Sequence, residues 1–356
     1  MRQYIPHAIT LTSDFANKQT RPSGKTMTNW QQLHGSFFTD KTILVTGGAG
    51  FIGSHLTEAL ISLGAKVRVI DDLSGGDTIN LVPQAAVDDG RITFIKGSIL
   101  NNDVVTKAVE GCDYIFHQAA LGSVPRSIEL PRLYSEVNIM GTLNVLEAAR
   151  ENNVKRVMFA ASSSAYGDSP TLPKIETMPV LPKSPYAASK VADEALMRAY
   201  ADSYGLDTAC LRYFNIFGPR QNANSAYAAV IAGFAKAILG GSAPTIYGDG
   251  EQSRDFTFVH NAVHANLLAA RCEKPIGGAV LNVAIGQRIT VNELATEMLK
   301  VYGKPELKPT HVPERAGDVK HSLADLTATK NTLGYEPVVS FEDGLKSTLD
   351  WYKTVM

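Results

Sequence analysis

From Lys41 to about residue 215 the chain alternates short β-branched runs with stretches of helical period. The strand candidates are TILVT (42–46), KVRVI (66–70), ITFIKG (92–97), YIFHQ (114–118), RVMFAAS (156–162) and TACLRYF (208–214), with helices expected near 52–64, 101–110, 132–152 and 185–204. Strands separated by helices cannot pair as hairpins. Each returns beside an earlier strand through a crossover, so the pattern predicts an α/β fold with a doubly wound parallel sheet covered by helices. After Asn215 the pattern changes, and FGPRQNANSAY and GGSAPTIYGDGEQSRDF are rich in Gly, Pro and polar residues. A smaller α/β region is expected over 216–356, with FTFVH (256–260) and AVLNVA (279–284) as candidate strands returning to the first sheet. Residues 1–40 read as a flexible extension, mostly polar and interrupted by Pro6, Pro22 and Gly24. Within it Met27 is a candidate start, and TNWQQLH after it a candidate short helix.

Composition narrows what such a fold can serve. Apolar residues make up 44%, charged residues 19%, and the formal net charge is -1. That balance lacks the basic excess that nucleic acid or an anionic membrane surface would select. No apolar run approaches the roughly 18 residues of a membrane span. Small molecules or protein surfaces are the expected partners. Cys112, Cys210 and Cys272 lie far apart without CxxC or Cys/His ligand spacing, so neither a disulfide framework nor a metal site is expected. A reducing cytoplasm fits this usage.

TILVTGGAGFIG reads as strand, glycine turn and helix, with Gly47, Gly50 and Gly53 in GxxGxxG spacing. Gly47 allows the tight turn, Gly50 lets backbone amides approach a pyrophosphate, and Gly53 lets helix and strand pack closely. Asp71 follows at the end of the second strand, placed to accept from a ribose 2'-hydroxyl. Its charge would repel a 2'-phosphate, which favours NAD over NADP in a Rossmann-type site. The competing reading is a purely structural glycine turn.

SPYAASK (184–190) places Tyr186 and Lys190 four residues apart. On a helix this is an offset of about 40° and about 6 Å, one shared face. A cation beside a phenol of pKa near ~10 favours the phenolate, so Lys190 would make Tyr186 usable as a base. Tyr-x-x-x-Lys alone is commonly structural. Strand RVMFAAS adds Ser162 at the carboxyl end of the sheet, where open α/β folds bind ligands, and its hydroxyl can bond the oxygen that Tyr186 deprotonates.

These motifs, with HQAA (117–120), SSSAYG (162–167), LRYFNIFGPRQ (211–221) and GDGEQSRDF (248–256), make residues 41 to 350 resemble the extended short-chain dehydrogenase/reductase family. The resemblance is to its nucleotide-sugar epimerase/dehydratase branch, and most of all to bacterial UDP-N-acetylglucosamine 4-epimerases of the surface-polysaccharide type. It implies a catalytic triad of Ser162, Tyr186 and Lys190, with Lys190 also holding the nicotinamide ribose. It places Phe51, Ile52, Gln118, Ala119 and Ala120 at the cofactor with the three glycines and Asp71. One departure falls at the adenine: the family often has Gly-Asp-Ile where this chain has Gly97, Ser98 and Ile99.

Related 4,6-dehydratases put Asp-Glu after the catalytic hydroxyl, and decarboxylating relatives also carry an acid near it. Ser163 and Ser164 stand there in this chain, which leaves 4-epimerisation. HQAALGSVPRS (117–127) resembles the substrate loop of the N-acetylglucosamine enzymes and would set Gly122, Ser123 and Ser163 beside the N-acetyl group; alternatively the loop only covers the nicotinamide. Ser322 matches a gate that an aromatic residue closes against a 2-acetamido group, whereas serine admits both sugar types. Arg254 and Arg315 are suited to a diphosphate, with surface ion pairs to Asp255 or Asp318 as the plainer alternative. Asn215 could add a neutral bond, and Tyr227 and Tyr247 fall in segments resembling the uridine cradle. The resemblance also implies a homodimer through the helices near 132–152 and 185–204. A UDP-glucose 4-epimerase and a catalytically silent NAD-binding scaffold remain the alternatives.

Overall fold

The protein is described from a computed structural model, which covers residues 28–81, 90–222, 230–314 and 320–356. Seven strands form one parallel sheet: β1 (Thr42–Thr46), β2 (Lys66–Asp71), β3 (Ile92–Lys96), β4 (Tyr114–His117), β5 (Arg156–Ser162), β6 (Thr208–Tyr213) and β7 (Ala279–Val283). Their order is β7-β6-β5-β4-β1-β2-β3. The order reverses direction at β1, so the chain leaves β1 and β4 toward opposite sides and opens a crevice at their carboxyl ends. Residues 43–46 of β1 and all of β4 and β6 are buried, the continuous apolar pattern of strands covered on both faces.

Two of the expected returning strands behave differently. Ala279–Val283 pairs with β6 as the seventh strand. Thr257–Phe258 instead pairs with Ile216–Phe217 in a separate two-stranded sheet. At Val259 the chain turns into a helix reaching Arg271, whose buried face carries Ala262, Val263, Ala265 and Ala269. A second apolar cluster, including Phe217, Phe258, Leu294, Phe341 and Leu349, forms beneath the helices Val230–Leu239, Val291–Val301 and Phe341–Val355.

Residues 28–40 do not form a flexible lead-in. Helix α1 (Trp30–His34) starts at Asn29, whose side chain accepts from Gln32 N at 3.1 Å. Trp30, His34 and Phe38 are buried. Thr28 Oγ1 meets His260 Nδ1 at 2.8 Å, and His34 Nε2 meets His264 Nδ1 at 3.0 Å. Both histidine partners lie on the Val259–Arg271 helix, so the segment is docked against it.

Candidate active site

The cofactor end is built by β1 and helix α2 (Phe51–Ser62). Gly47 has φ +68°, and its N–H donates to Ile70 O at 2.8 Å, which turns the chain off β1. A Cβ on Gly53 would lie 2.2 Å from Gly47 O, so only glycine lets α2 rest on the turn. Gly50 caps α2 without a side-chain bond, which leaves the first amides of the helix facing the crevice. Asp71, at the end of β2, accepts from Ala49 N at 3.0 Å and from Leu73 N at 2.8 Å. Burial raises its carboxyl above the ordinary value, and these amides pull it back. Ala49 lies in the glycine turn and Leu73 just after β2, so Asp71 ties the glycine loop to the end of its own strand. Arg68 points elsewhere, donating to Ala108 O at 3.1 Å.

Tyr186 and Lys190 share α3 (Pro185–Tyr204), started by Ser184, whose Oγ accepts from Ala187 N at 3.1 Å, with Pro185 at its first turn. Gly205 at φ +69° ends it. Ser162 Oγ and Ser164 Oγ are 2.8 Å apart. Burial raises the Tyr186 phenol, and a hydrogen bond with Ser162 opposes that rise. Lys190 follows one turn later on the same helix. Its Nζ donates to Ala160 O at 2.8 Å and lies 4.5 Å from the centroid of the Phe159 ring. Helical spacing puts the two residues on one face, and the length of the lysine lets its ammonium rest on the backbone of β5.

A cavity of about 1170 Å³ joins these parts. Its wall contains the glycine turn with Phe51 and Ile52, then Asp71, Ser98 and Ile99, and then Gln118, Ala119 and Ala120. Ser162, Ser163, Tyr186 and Lys190 line it, as do Gly122, Ser123, Asn215, Arg254 and Ser322. A second cavity of about 460 Å³ shares Asn215, Ile216 and Arg254 with the first and is lined by Tyr247. Tyr227 and Arg315 lie outside the described residues. Ser322 Oγ accepts from Asn215 Nδ2 at 3.2 Å, so the position expected to act as a gate is bonded to a neighbouring wall residue. Asp255 accepts from the amides of Ile285, Gly286 and Ala324.

Asn138 was missed by motif reading. It sits in a π-helical stretch, Glu136–Met140, where the widened turn aims it inward. Its Oδ1 accepts from Leu121 N at 2.9 Å and its Nδ2 donates to Ser189 Oγ at 2.9 Å, tying the Gly122–Ser123 loop to α3. A lone Asn between apolar neighbours in VNIMG was the available signal.

A family model described as the NAD dependent epimerase/dehydratase family matches residues 43–284. The chain belongs to this family. It is 43% identical to the UDP-N-acetylglucosamine 4-epimerase from Methanobrevibacter ruminantium M1, solved in complex with UDP-N-acetylmuramic acid. That likeness covers 89% of this chain and 100% of the other, with TM-score 0.85. It is 38% identical over 313 residues to the UDP-glucose 4-epimerase of Mycolicibacterium smegmatis, 87% of this chain and 98% of that one. The UDP-glucose 4-epimerase of Thermus thermophilus, solved with NAD, is 35% identical with TM-score 0.79, covering 88% of this chain and all of that one. The family's cofactor is NAD, and this chain fits it. The close approach of Gly53 to Gly47, the uncapped start of α2 and the carboxylate of Asp71 form a cradle for a pyrophosphate and a ribose without a 2'-phosphate.

Proposed function

We propose that the chain is a UDP-N-acetylglucosamine/UDP-N-acetylgalactosamine 4-epimerase. The observation that carries this reading is the wall of small residues, Gly122, Ser123, Ser163 and Ser322, around the same cavity as Ser162 and Tyr186. A Cβ on Gly122 would meet nothing within 4 Å, so this wall leaves room for a 2-acetamido group. The second cavity, reached past Arg254, suits the nucleoside, with Arg254 on the diphosphate and Tyr247 at the uridine.

NAD, when bound, supplies a reversible hydride acceptor for sugar C4. Gly47, Gly50, Gly53 and Asp71 hold it, and Lys190 orients its nicotinamide ribose. Tyr186 removes the proton of the 4-hydroxyl while Ser162 bonds the same oxygen. The 4-keto sugar turns within the wide cavity and presents its other face, and Tyr186 then returns the proton. Ser163 and Ser164 follow Ser162 where elimination of water would need an acid and a base, so the reaction stops at epimerisation. The UDP-glucose pair is the second reading, because a serine at 322 admits sugars with or without the acetamido group.

Incubation with UDP-N-acetylglucosamine in D2O tests the reaction type. UDP-N-acetylgalactosamine without carbon-bound deuterium is expected, since the C4 hydrogen returns within the site. Solvent deuterium in the product, or a 6-deoxy product, would rule the reading out. A cytoplasmic homodimer is part of the same proposal, and it is supported by the exposed Leu133, Met140 and Tyr204 on the two helices expected to pair.

A further inference from the structure

Lys190 is 3% exposed, and its ammonium rests against one carbonyl and one aromatic face. Neither is a charge. An ammonium buried without a counter-charge is driven toward the neutral form, by up to about 3–5 pH units when fully enclosed. One turn further along α3 lies Asp193, fully buried, with no cation within hydrogen-bonding distance of either carboxylate oxygen among the described residues. Residues three apart on a helix are neighbours on its surface. Glu194 is occupied otherwise: Arg212 grips it with bonds of 2.8 and 2.7 Å.

Glu194 also acts on both groups, opposing the fall of Lys190 after Asp193 does and adding to the rise of Asp193. On the sheet, His117 bonds Thr46 at 2.7 Å and Thr142 at 3.0 Å and is held neutral by burial, its value lowered to about 3. Burial holds the Cys210 thiol well above its ordinary value, so it too is uncharged. Burial holds the Tyr186 phenol up, so it faces the site uncharged, and the Thr142 hydroxyl favours ionised Asp193. Burial pulls Lys190 down, and Asp193 is the first group that opposes the fall. Burial pushes Asp193 up, and Lys190 is the first group that opposes the rise.

We propose that Asp193 is a positioning residue: its carboxylate is the buried counter-charge that keeps Lys190 an ammonium on the floor beneath Tyr186. This rests on the roles proposed above for Tyr186 and Lys190. It adds a member to the site that does not line the cavity and touches no substrate.

The test follows Lys190 directly in the NAD-bound protein labelled with [6-13C]lysine, its Cε resonance assigned by its loss in Lys190→Arg. In Asp193→Asn the Lys190 titration midpoint should fall by about one pH unit or more. The alkaline limb of kcat/KM should move down by the same amount, with turnover recovering toward wild type as pH is lowered. A midpoint unchanged within about 0.3 unit overturns the proposal, because a tenfold change in protonation equilibrium is a full unit. Should Asp193→Asn fail to fold, the reverse variant decides: in Lys190→Met the Asp193 carboxyl, followed by its 13C shift, should titrate higher than in wild type. No rise there also overturns the pairing. Wild-type protein that turns over no nucleotide sugar, with the midpoint still shifted, would fault the epimerase reading and leave the charge pair standing.

Discussion

Gly53 decides the cofactor end by a single missing atom. Gly53→Ala forces α2 off the turn, since the new carbon would sit 2.2 Å from Gly47 O. Overpacking of this kind costs about 1–3 kcal/mol. A lower melting temperature together with weakened NAD binding by calorimetry is expected, and unchanged NAD affinity would contradict the cradle. Tyr186→Phe removes only a hydroxyl, so NAD binding and melting temperature should hold while turnover falls by at least about 10²–10⁴-fold, the usual worth of a positioned proton donor or acceptor. These residues were legible because glycine spacing and a Tyr-Lys pair are written locally. The resting place of the Lys190 ammonium was not, since periodicity fixes a helical face but not how far a four-carbon side chain reaches. Asn138 and Asp193 were missed because their partners, Leu121, Ser189 and Lys190, become informative only once the helices are packed.

At the scale of elements, α1 and the residues around it form an acid-sensitive dock. Burial lowers His34 to about 3 and His260 and His264 to about 4, with Arg271 adding repulsion at His34 and His264 and Arg220 at His260. His55, which bonds Pro219 O, is lowered well below its ordinary value by burial, Arg220 and His260. Released histidines titrate near ~6.5, so below that pH the undocked state binds protons that the docked state does not. Docking is therefore fully favoured above about pH 6.5 and is lost as pH falls toward these lowered values. In a Trp351→Phe background, emission from Trp30, the other of the two tryptophans, should shift to the red between about pH 6.5 and 4. An invariant spectrum would contradict the dock. Sequence reading found a short helix in this stretch but not its burial, because its apolar partners lie more than two hundred residues away on the Val259–Arg271 helix. FTFVH was ambiguous for another reason: a short apolar run does not distinguish a strand from the start of a buried helix, and here it contains both.

For the whole molecule, the alternation of strands and helices specified the parallel sheet, and the segments after Asn215 add Ile216, Arg254 and Ser322 to the cavity wall. The exposed Leu133, Met140 and Tyr204 predict a dimer in sedimentation, and charged substitutions at Leu133 and Met140 should release monomers; a wild-type monomer at micromolar concentration would contradict that. Substrate identity is a property of the assembled wall, to which Gly122 and Ser322 come from distant segments. Ser322→Tyr should lower turnover of N-acetylated substrates by at least about tenfold while sparing UDP-glucose; equal loss on both would mean that the position is no gate. The most direct measurement is the pair of kcat/KM values for UDP-N-acetylglucosamine and UDP-glucose on the purified protein, with products identified. Efficient conversion of UDP-N-acetylglucosamine to UDP-N-acetylgalactosamine is predicted, and a strong preference for the sugar without the acetamido group would contradict the assignment.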